Sequence, residues 1–230
     1  MAITEHFLAV HNTYQITWIG LFNAFDMLDQ QSCSNKLASK EMFLLIEAML
    51  LRNNLSLQQC RFVGVNQGPG PFTTLRVVIA SINGLAFATH LPLIGVNGIT
   101  TFVHEQADPA YDYTVALCNA YCNDVYYAIV DKNNQPVASG CNQFEAVTQQ
   151  LLTLPCVRKG HPFKMVGNIA DAKRAELNFL FGDTVYIPDP CPEGASIDAI
   201  GKQAYRTWLA NQNGVKQLLP IYLKESSAKI

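Results

Sequence analysis

One order of secondary-structure elements is legible twice along the chain, and that repetition restricts the fold more than any single motif does. Residues 7–12 (Phe-Leu-Ala-Val-His-Asn) and 15–23 (Gln-Ile-Thr-Trp-Ile-Gly-Leu-Phe-Asn) are apolar, β-branched runs split by a short polar break, the pattern of a hairpin. A third strand is expected over 25–31, and Ser39 stands where an N-cap would open a helix running to about Asn53. Residues 61–66 read as a buried strand. Gly68-Pro69-Gly70-Pro71 then turns the chain into a helix from about Phe72 to His90, followed by a strand at 93–96 and a helix at 99–106. After a break at Asp108-Pro109 the pattern restarts, with hairpin strands at 113–119 and 125–131 and a helix at 144–154. A strand at 163–167, a helix at 169–181, a strand at 184–188 and a helix at 197–212 complete it. The two hairpins share an echo, Ala9-Val-His-Asn-Thr-Tyr14 against Ala116-Leu-Cys-Asn-Ala-Tyr121. The repeated order predicts two similar α/β halves, residues 1–106 and 107–230, with the last segment packing back on the first half. The competing architecture is one doubly wound sheet.

Composition narrows what such halves can serve. Of 230 residues, 15% are charged and 49% hydrophobic, against roughly 25% charged in an average soluble domain, so disorder is excluded and an ample core is available. A net charge of -2 lacks the basic footprint of a chain that grips nucleic acid alone, so tRNA or any other nucleic acid would be reached only through a partner. Uninterrupted apolar stretches fall short of the roughly 18–20 residues that span a bilayer. Glu5 and His6 stand where a signal peptide would place a basic start and an apolar run, so a cytoplasmic protein without a membrane role is expected. Cys33, Cys60, Cys118, Cys122, Cys141, Cys156 and Cys191 are odd in number and form no Cys-x-x-Cys pair, which favours buried reduced thiols over disulfides or zinc. Two α/β halves of this kind are the plan of actin-like and sugar-kinase-like (ASKHA) folds.

The segment Gly68-Pro-Gly-Pro-Phe-Thr-Thr-Leu-Arg76 carries the most chemistry. A strand that ends in glycines and feeds a helix leaves backbone N–H groups unsatisfied at the positive end of the helix dipole, where an anion can bind. Gly68, Gly70, Thr73 and Arg76 are therefore the candidate anion- or nucleotide-proximal residues. No Gly-Lys-Ser/Thr closes a Walker loop and no set of three spaced glycines marks a dinucleotide fold. The plainer alternative is a tight turn with Thr73 or Thr74 capping the helix and Arg76 on its surface.

Followed by Val77-Val-Ile-Ala-Ser-Ile-Asn-Gly-Leu-Ala-Phe87 and Leu91-Pro-Leu-Ile-Gly-Val96, this segment resembles the signature of the bacterial TsaB (YeaZ) family. That signature reads Gly-Pro-Gly-Ser-Phe-Thr-Gly-Leu-Arg, then an apolar helix with Gly-Leu-Ala, then Pro-x-x-Gly-Val. The likeness extends to Asp124-Val-Tyr126 and to Pro220-Ile-Tyr-Leu223, and is strongest over residues 61–96. The resemblance implies an actin-like fold of two similar α/β halves. It also implies a noncatalytic partner of the paralogous TsaD subunit that, with the ATPase TsaE, installs threonylcarbamoyl on the adenosine beside the tRNA anticodon. Catalytic residues, metal ligands and cofactors are expected to be absent from this chain alone, with ATP and Mg in the partner subunits.

Departures from the family pattern bear on catalysis. Actin-like phosphotransferases use an acidic residue in the first hairpin turn to organise Mg-nucleotide, because a hard cation needs oxygen ligands. Where TsaB proteins often keep Asp-Thr-Ser, this chain has His11-Asn12-Thr13, with no carboxylate in any register. In the second hairpin Asn119-Ala120-Tyr121 matches the family's Asp-Ala-Arg, and Ala38-Ser39-Lys40 matches its His-Ser-Glu. Pro71 and Thr74 replace the Ser and second Gly of the glycine turn, stiffening it. His6, His11, His90, His104 and His161 show no His-x-x-x-His spacing, and no Gly-x-Ser-x-Gly elbow exists. Asp124, Asp131 and Glu145 could supply a carboxylate pair in three dimensions, though their plainer use is surface solvation, and His11 reads as a hydrogen-bonded hairpin residue rather than a catalyst.

Helical projection turns the surplus apolarity into a location. On the first helix Met42, Phe43, Leu45, Ile46, Met49 and Leu50 form an arc suited to a sheet, while Leu44, Ala48 and Leu51 fall on the opposite side. On the second, Leu75, Ile79, Ile82 and Ala86 can face the sheet. Ala80, Gly84 and Ala88, flanked by Val77 and Ser81, line another face with small side chains that admit a second helix closely. Packing between the two helices accounts for part of this pattern. The remainder predicts a helix-on-helix interface between subunits, isologous in a homodimer. Three functions compete: a scaffold subunit partnering TsaD and TsaE, an autonomous ATP-dependent phosphotransferase of the same fold, and a peptidase, a role once attached to the wider family.

Overall fold

The computed structural model describes residues 5–221. Strands β1 (His6–Asn12), β2 (Ile16–Asn23), β3 (Asp26–Ser34), β4 (Val63–Asn66) and β5 (Leu93–Val96) form one sheet in the order β3-β2-β1-β4-β5. Strands β6 (Tyr113–Asn119), β7 (Asp124–Asp131), β8 (Pro136–Gln143), β9 (Phe163–Val166) and β10 (Val185–Tyr186) form a second in the order β10-β9-β6-β7-β8. In both, the first strand pairs antiparallel with the second, the second antiparallel with the third, and the first parallel with the fourth. The repeated element order of the sequence thus becomes a repeated sheet topology.

The helices are α1 (Ala38–Arg52), α2 (Phe72–Thr89), α3 (Gly98–Gln106), α4 (Phe144–Leu152), α5 (Pro155–Lys159), α6 (Asn168–Ala172), α7 (Arg174–Phe181) and α8 (Ile197–Ala210). Two compact units result, one of residues 5–98 and 196–221 and one of residues 99–195 among those described. The division falls at Gly98, where the element order suggested 106. The final helix, α8, belongs with the first sheet, on β1, β2, β4 and β5.

In the first unit, β1 is buried on both faces: Phe7, Leu8, Ala9 and Val10 are each 0% exposed. One face carries Leu8 and Val10 into a core shared with Met42, Ile46 and Met49 of α1 and Leu75, Val78, Ile79 and Ile82 of α2. The other face stacks aromatic rings, Phe7 on Phe22 at 5.0 Å and on Phe62 at 4.4 Å, with Trp208 of α8 on Phe62 at 4.9 Å. Such ring pairs contribute about 0.5–1.5 kcal/mol each beyond the area they bury. Backbone approach is closest where β4 meets α8: a Cβ on Gly64 would stand 2.5 Å from Cβ of Ala204. Tyr205 of α8 donates its hydroxyl to Glu5 Oε2 at 2.7 Å, and burial, together with the Glu5 charge, pushes the phenol up to about 12.

Several expectations differ in detail. α1 begins at Ala38 with Leu37 at its N-cap and no side-chain cap, so Ser39 is inside the helix and does not cap it. Pro71 occupies the N-cap of α2, again without a side-chain bond, so neither Thr73 nor Thr74 caps it. Strand β8 went unread because Pro136, Ser139, Gly140, Asn142 and Gln143 dilute its β-formers; pairing with β7 overrides that weak propensity. The helix expected over 169–181 is divided at Lys173, whose φ of -108° leaves the helical basin. Phe43, assigned to the sheet-facing arc of α1, is 40% exposed. Among the described residues α2 alone is long and apolar enough to cross a membrane, by length and composition, yet Leu75, Val78, Ile79, Ile82 and Ala86 are buried in this fold.

The contrast between two glycines is testable by urea denaturation. Gly64→Val should destabilise by about 1–3 kcal/mol through overpacking against Ala204. Gly84→Ala, where an added Cβ meets nothing within 4 Å, should stabilise by about 1 kcal/mol through helix propensity. A second expectation concerns pH. Because the Tyr205 phenol is raised in the folded state, its contribution is complete below about pH 10 and is lost as pH rises from there toward 12. Tyr205→Phe should flatten the fall in urea midpoint across that interval.

Candidate functional site

The β4–α2 turn is held by a buried polar network. Asn66, the last residue of β4, accepts the Gly68 N–H on Oδ1 at 2.9 Å and donates Nδ2 to His11 Nδ1 at the same distance. The acceptor role at Nδ1 places the proton of a neutral His11 ring on Nε2. Gly98 N–H donates to the Gly68 carbonyl at 2.7 Å. Gly68 itself has a φ of 111°, a left-handed conformation that side chains rarely adopt. At Gly70 a Cβ would stand 3.3 Å from Asn12 Nδ2. Asn12 is 2% exposed, and neither atom of its amide has a hydrogen-bond partner among the described residues.

Of the four candidate anion-proximal residues, Gly68 is buried with its N–H already donated to Asn66, and Gly70 is half-buried. Thr73 and Arg76 lie exposed on the first turns of α2, with the Arg76 guanidinium 3.8 Å above the Phe72 ring. Of the four, only Thr73 and Arg76 are exposed. Pro69 and Pro71 have no N–H, which further thins the donors of this turn.

Neither hairpin turn holds a carboxylate. In the first, Thr13 N–H donates to Ile16 O at 2.8 Å and Asn35 Nδ2 donates to Thr13 O at 3.0 Å. In the second, Tyr121, Cys122 and Asn123 have φ values of 61°, 54° and 67°, an unusual run for residues with side chains, and Tyr121 N–H donates to Asn119 Oδ1 at 2.8 Å. Asp124 and Asp131 stand at opposite ends of β7, so these two do not pair. Asp131 Oδ1 instead accepts the N–H groups of Asn133 and Gln135, and Glu145 accepts from Asn123. Among the described residues no group of three or more His, Cys, Asp and Glu is placed to hold a metal ion. All seven cysteines are free thiols. Burial pushes Cys60 and Cys156 up to about 11, and burial with the neighbouring Cys191 pushes Cys118 to about 12.

The other candidate surface lies on α1 and α2, which pack side by side over the first sheet. Leu44 is 64% and Leu51 68% exposed, and Ala48 between them is exposed as well. On α2, Ala80, Gly84 and Ala88 are exposed, while Val77 and Ser81 are half-buried at the margin. The structure adds Phe87, 84% exposed, and Phe43. Phe87 stands three residues beyond Gly84 and seven beyond Ala80, so helical periodicity alone places it on this face.

A doubled α/β half with strand order 3-2-1-4-5 and a glycine turn after the fourth strand defines an actin-like fold, here with no carboxylate in either hairpin turn. A sequence profile described as TsaD, tRNA N6-adenosine threonylcarbamoyltransferase, matches residues 33–181. The chain belongs to that family, and within it resembles the TsaB/YeaZ proteins. The tRNA threonylcarbamoyladenosine biosynthesis protein TsaB of Haemophilus influenzae is 30% identical over 93 residues, 40% of this chain and 39% of that protein. The match thus spans about two-fifths of this curated relative. The structure of YeaZ from Pseudomonas aeruginosa superposes with a TM-score of 0.71 at 17% identity, covering 95% of this chain and 100% of that one. A second P. aeruginosa structure, described as an uncharacterized protein with similarity to peptidase YeaZ, gives 0.70 at 16% identity, covering 96% and 100%. At such identities these likenesses establish the fold.

Exposure and thiol chemistry together predict an order of reactivity. At pH 8 a disulfide reagent should modify Cys122 first, since Cys60, Cys118 and Cys156 are buried with thiolate formation deferred to pH 11 and above. Cys122→Ser should remove the fast phase, and Cys60, Cys118 and Cys156 should react only on unfolding.

Proposed function

We propose that this chain takes part in tRNA threonylcarbamoyladenosine biosynthesis as a noncatalytic scaffold and activating subunit. It binds the TsaD subunit through the exposed apolar face of α1 and α2, with TsaE completing the assembly. In isolation the same face pairs two copies of the chain. tRNA is reached only through the complex, and ATP and Mg belong to the partner subunits. The observation that carries this reading is the exposed row Leu44, Ala48 and Leu51 beside Ala80, Gly84 and Ala88, with Phe87 84% exposed at its edge. Contiguous apolar surface of this kind is costly to leave in water and marks association sites. Small residues at four-residue spacing let a partner helix approach closely. Family membership and the likeness to TsaB support the pathway, and the hairpin turns without carboxylates support the noncatalytic role.

The experiment is co-purification with the cognate TsaD and TsaE, followed by assay of tRNA modification with and without this subunit. Gly84→Arg should weaken association with TsaD by about tenfold or more, equivalent to about 1.4 kcal/mol, while leaving the monomer folded. Unchanged association, together with a strict monomer by light scattering, would contradict the proposed surface. Calorimetry with Mg-ATP on the isolated chain separates the autonomous phosphotransferase reading: micromolar binding would favour it.

A further inference from the structure

Beyond α8 the chain runs back across the first unit as a narrow strap. Val215 exchanges both main-chain hydrogen bonds with Leu93 at the edge of β5, each 2.9 Å long. Leu218 is then clasped by one side chain of α2: Asn83 Oδ1 accepts its N–H and Asn83 Nδ2 donates to its carbonyl, both at 2.9 Å. Gln67 completes the attachment, its side chain donating Nε2 to Leu219 O at 2.7 Å and its main-chain carbonyl accepting the Ile221 N–H at 2.8 Å. The Ile221 carbonyl reaches to 3.4 Å from where a Cβ on Gly68 would stand, so the strap lies against the mouth of the β4–α2 turn. This clasp gives a use to Asn83, a half-buried polar residue in the middle of α2.

We propose that residues 214–221 form a detachable strap that opens as a unit while the first sheet stays folded. Only Leu218 is buried between Val215 and Ile221; Val215 is 47% and Leu219 69% exposed. Segments with little apolar burial and few main-chain ladder bonds open locally at far lower cost than the core. Three of the six bonds come from the Asn83 and Gln67 side-chain amides, and the main-chain bonds lie at the β5 edge and just beyond the end of β4, so release needs no strand of the sheet to separate. Opening bares the Leu93 N–H and carbonyl on the β5 edge, and it frees the Gln67 side chain, which otherwise lies over Gly95. The strap is thus a lid on the glycine turn, with its latch at Asn83 of α2. The inference does not depend on the proposed subunit contacts.

Native-state hydrogen exchange on the full chain tests it. The amides of Val215, Leu218 and Ile221 should exchange together, about a hundredfold or more ahead of Val65 in β4. Asn83→Ala should accelerate that group by about tenfold or more while leaving Val65 and Met165 unchanged. Asn83→Asp, which keeps an acceptor for the Leu218 N–H but turns a carboxylate toward the Leu218 carbonyl, should open the strap at least as far. If Asn83→Ala impairs folding, Gln67→Ala leaves α2 intact and should give the same pattern. Exchange of Leu218 at the rate of Val65, or equal acceleration of Val65 in the variants, would overturn the strap as an independent element. So would rates at Leu218 that neither variant moves.

Discussion

The two-sided burial of β1 is the constraint on which the rest of the first unit depends. A strand whose consecutive residues Phe7, Leu8, Ala9 and Val10 are all removed from water needs cover on both faces, in contrast to the alternating pattern of a half-exposed sheet. α1 and α2 supply one side. The other is closed only when α8 returns from more than a hundred residues away and lays Ala204, Tyr205 and Trp208 onto Gly64, Phe7 and Phe62. Gly64 is what lets that helix come close enough to exclude water. Once α8 is seated, the segment that follows it is delivered to the β5 edge, which is how the strap comes to lie beside the glycine turn.

The same packing holds the β4–α2 turn. Its polar groups are neutral and mostly consumed by one another: Asn66 serves Gly68 and His11, and Gly98 serves the Gly68 carbonyl. Neither hairpin turn places a carboxylate, the hard-cation ligand type, beside it. What this region offers is shape. It fixes where α2 begins and therefore which of its residues face outward, so that Ala80, Gly84, Phe87 and Ala88 form one apolar margin beside Leu44 and Leu51 of α1. Asn12, which lies beside Gly70, has neither amide atom paired among the described residues.

Much of this was legible before any coordinates. The hairpin strands and long helices announce themselves by period and by breakers, and the glycine turn by its composition. The outward residues of α1 and α2 follow from projection at about 100° per residue, and the structure leaves Leu44, Leu51, Ala80, Gly84 and Ala88 exposed as projected. Less legible were β8, where a partner strand compensates for poor β-formers, and the caps of α1 and α2. There Leu37 and Pro71 take positions that side-chain preference would have given to Ser39 or a threonine. Phe43 was placed on the wrong side because a broad apolar arc does not say where burial stops. The Tyr222-Leu223 end of the family likeness lies outside the described residues.

By itself, then, the sequence determined the doubled order of elements, the family, the loss of acids from the hairpin turns and the two apolar faces of α1 and α2. These depend on residue identity and local period, which any chain displays whether folded or not. Tertiary structure alone decided that α8 belongs to the first sheet, that Gly68 has no N–H to offer an anion, and that Asn83 is a clasp. Each of those rests on contacts between residues far apart in the chain, such as Gly64 with Ala204 or Asn83 with Leu218, which no local pattern encodes.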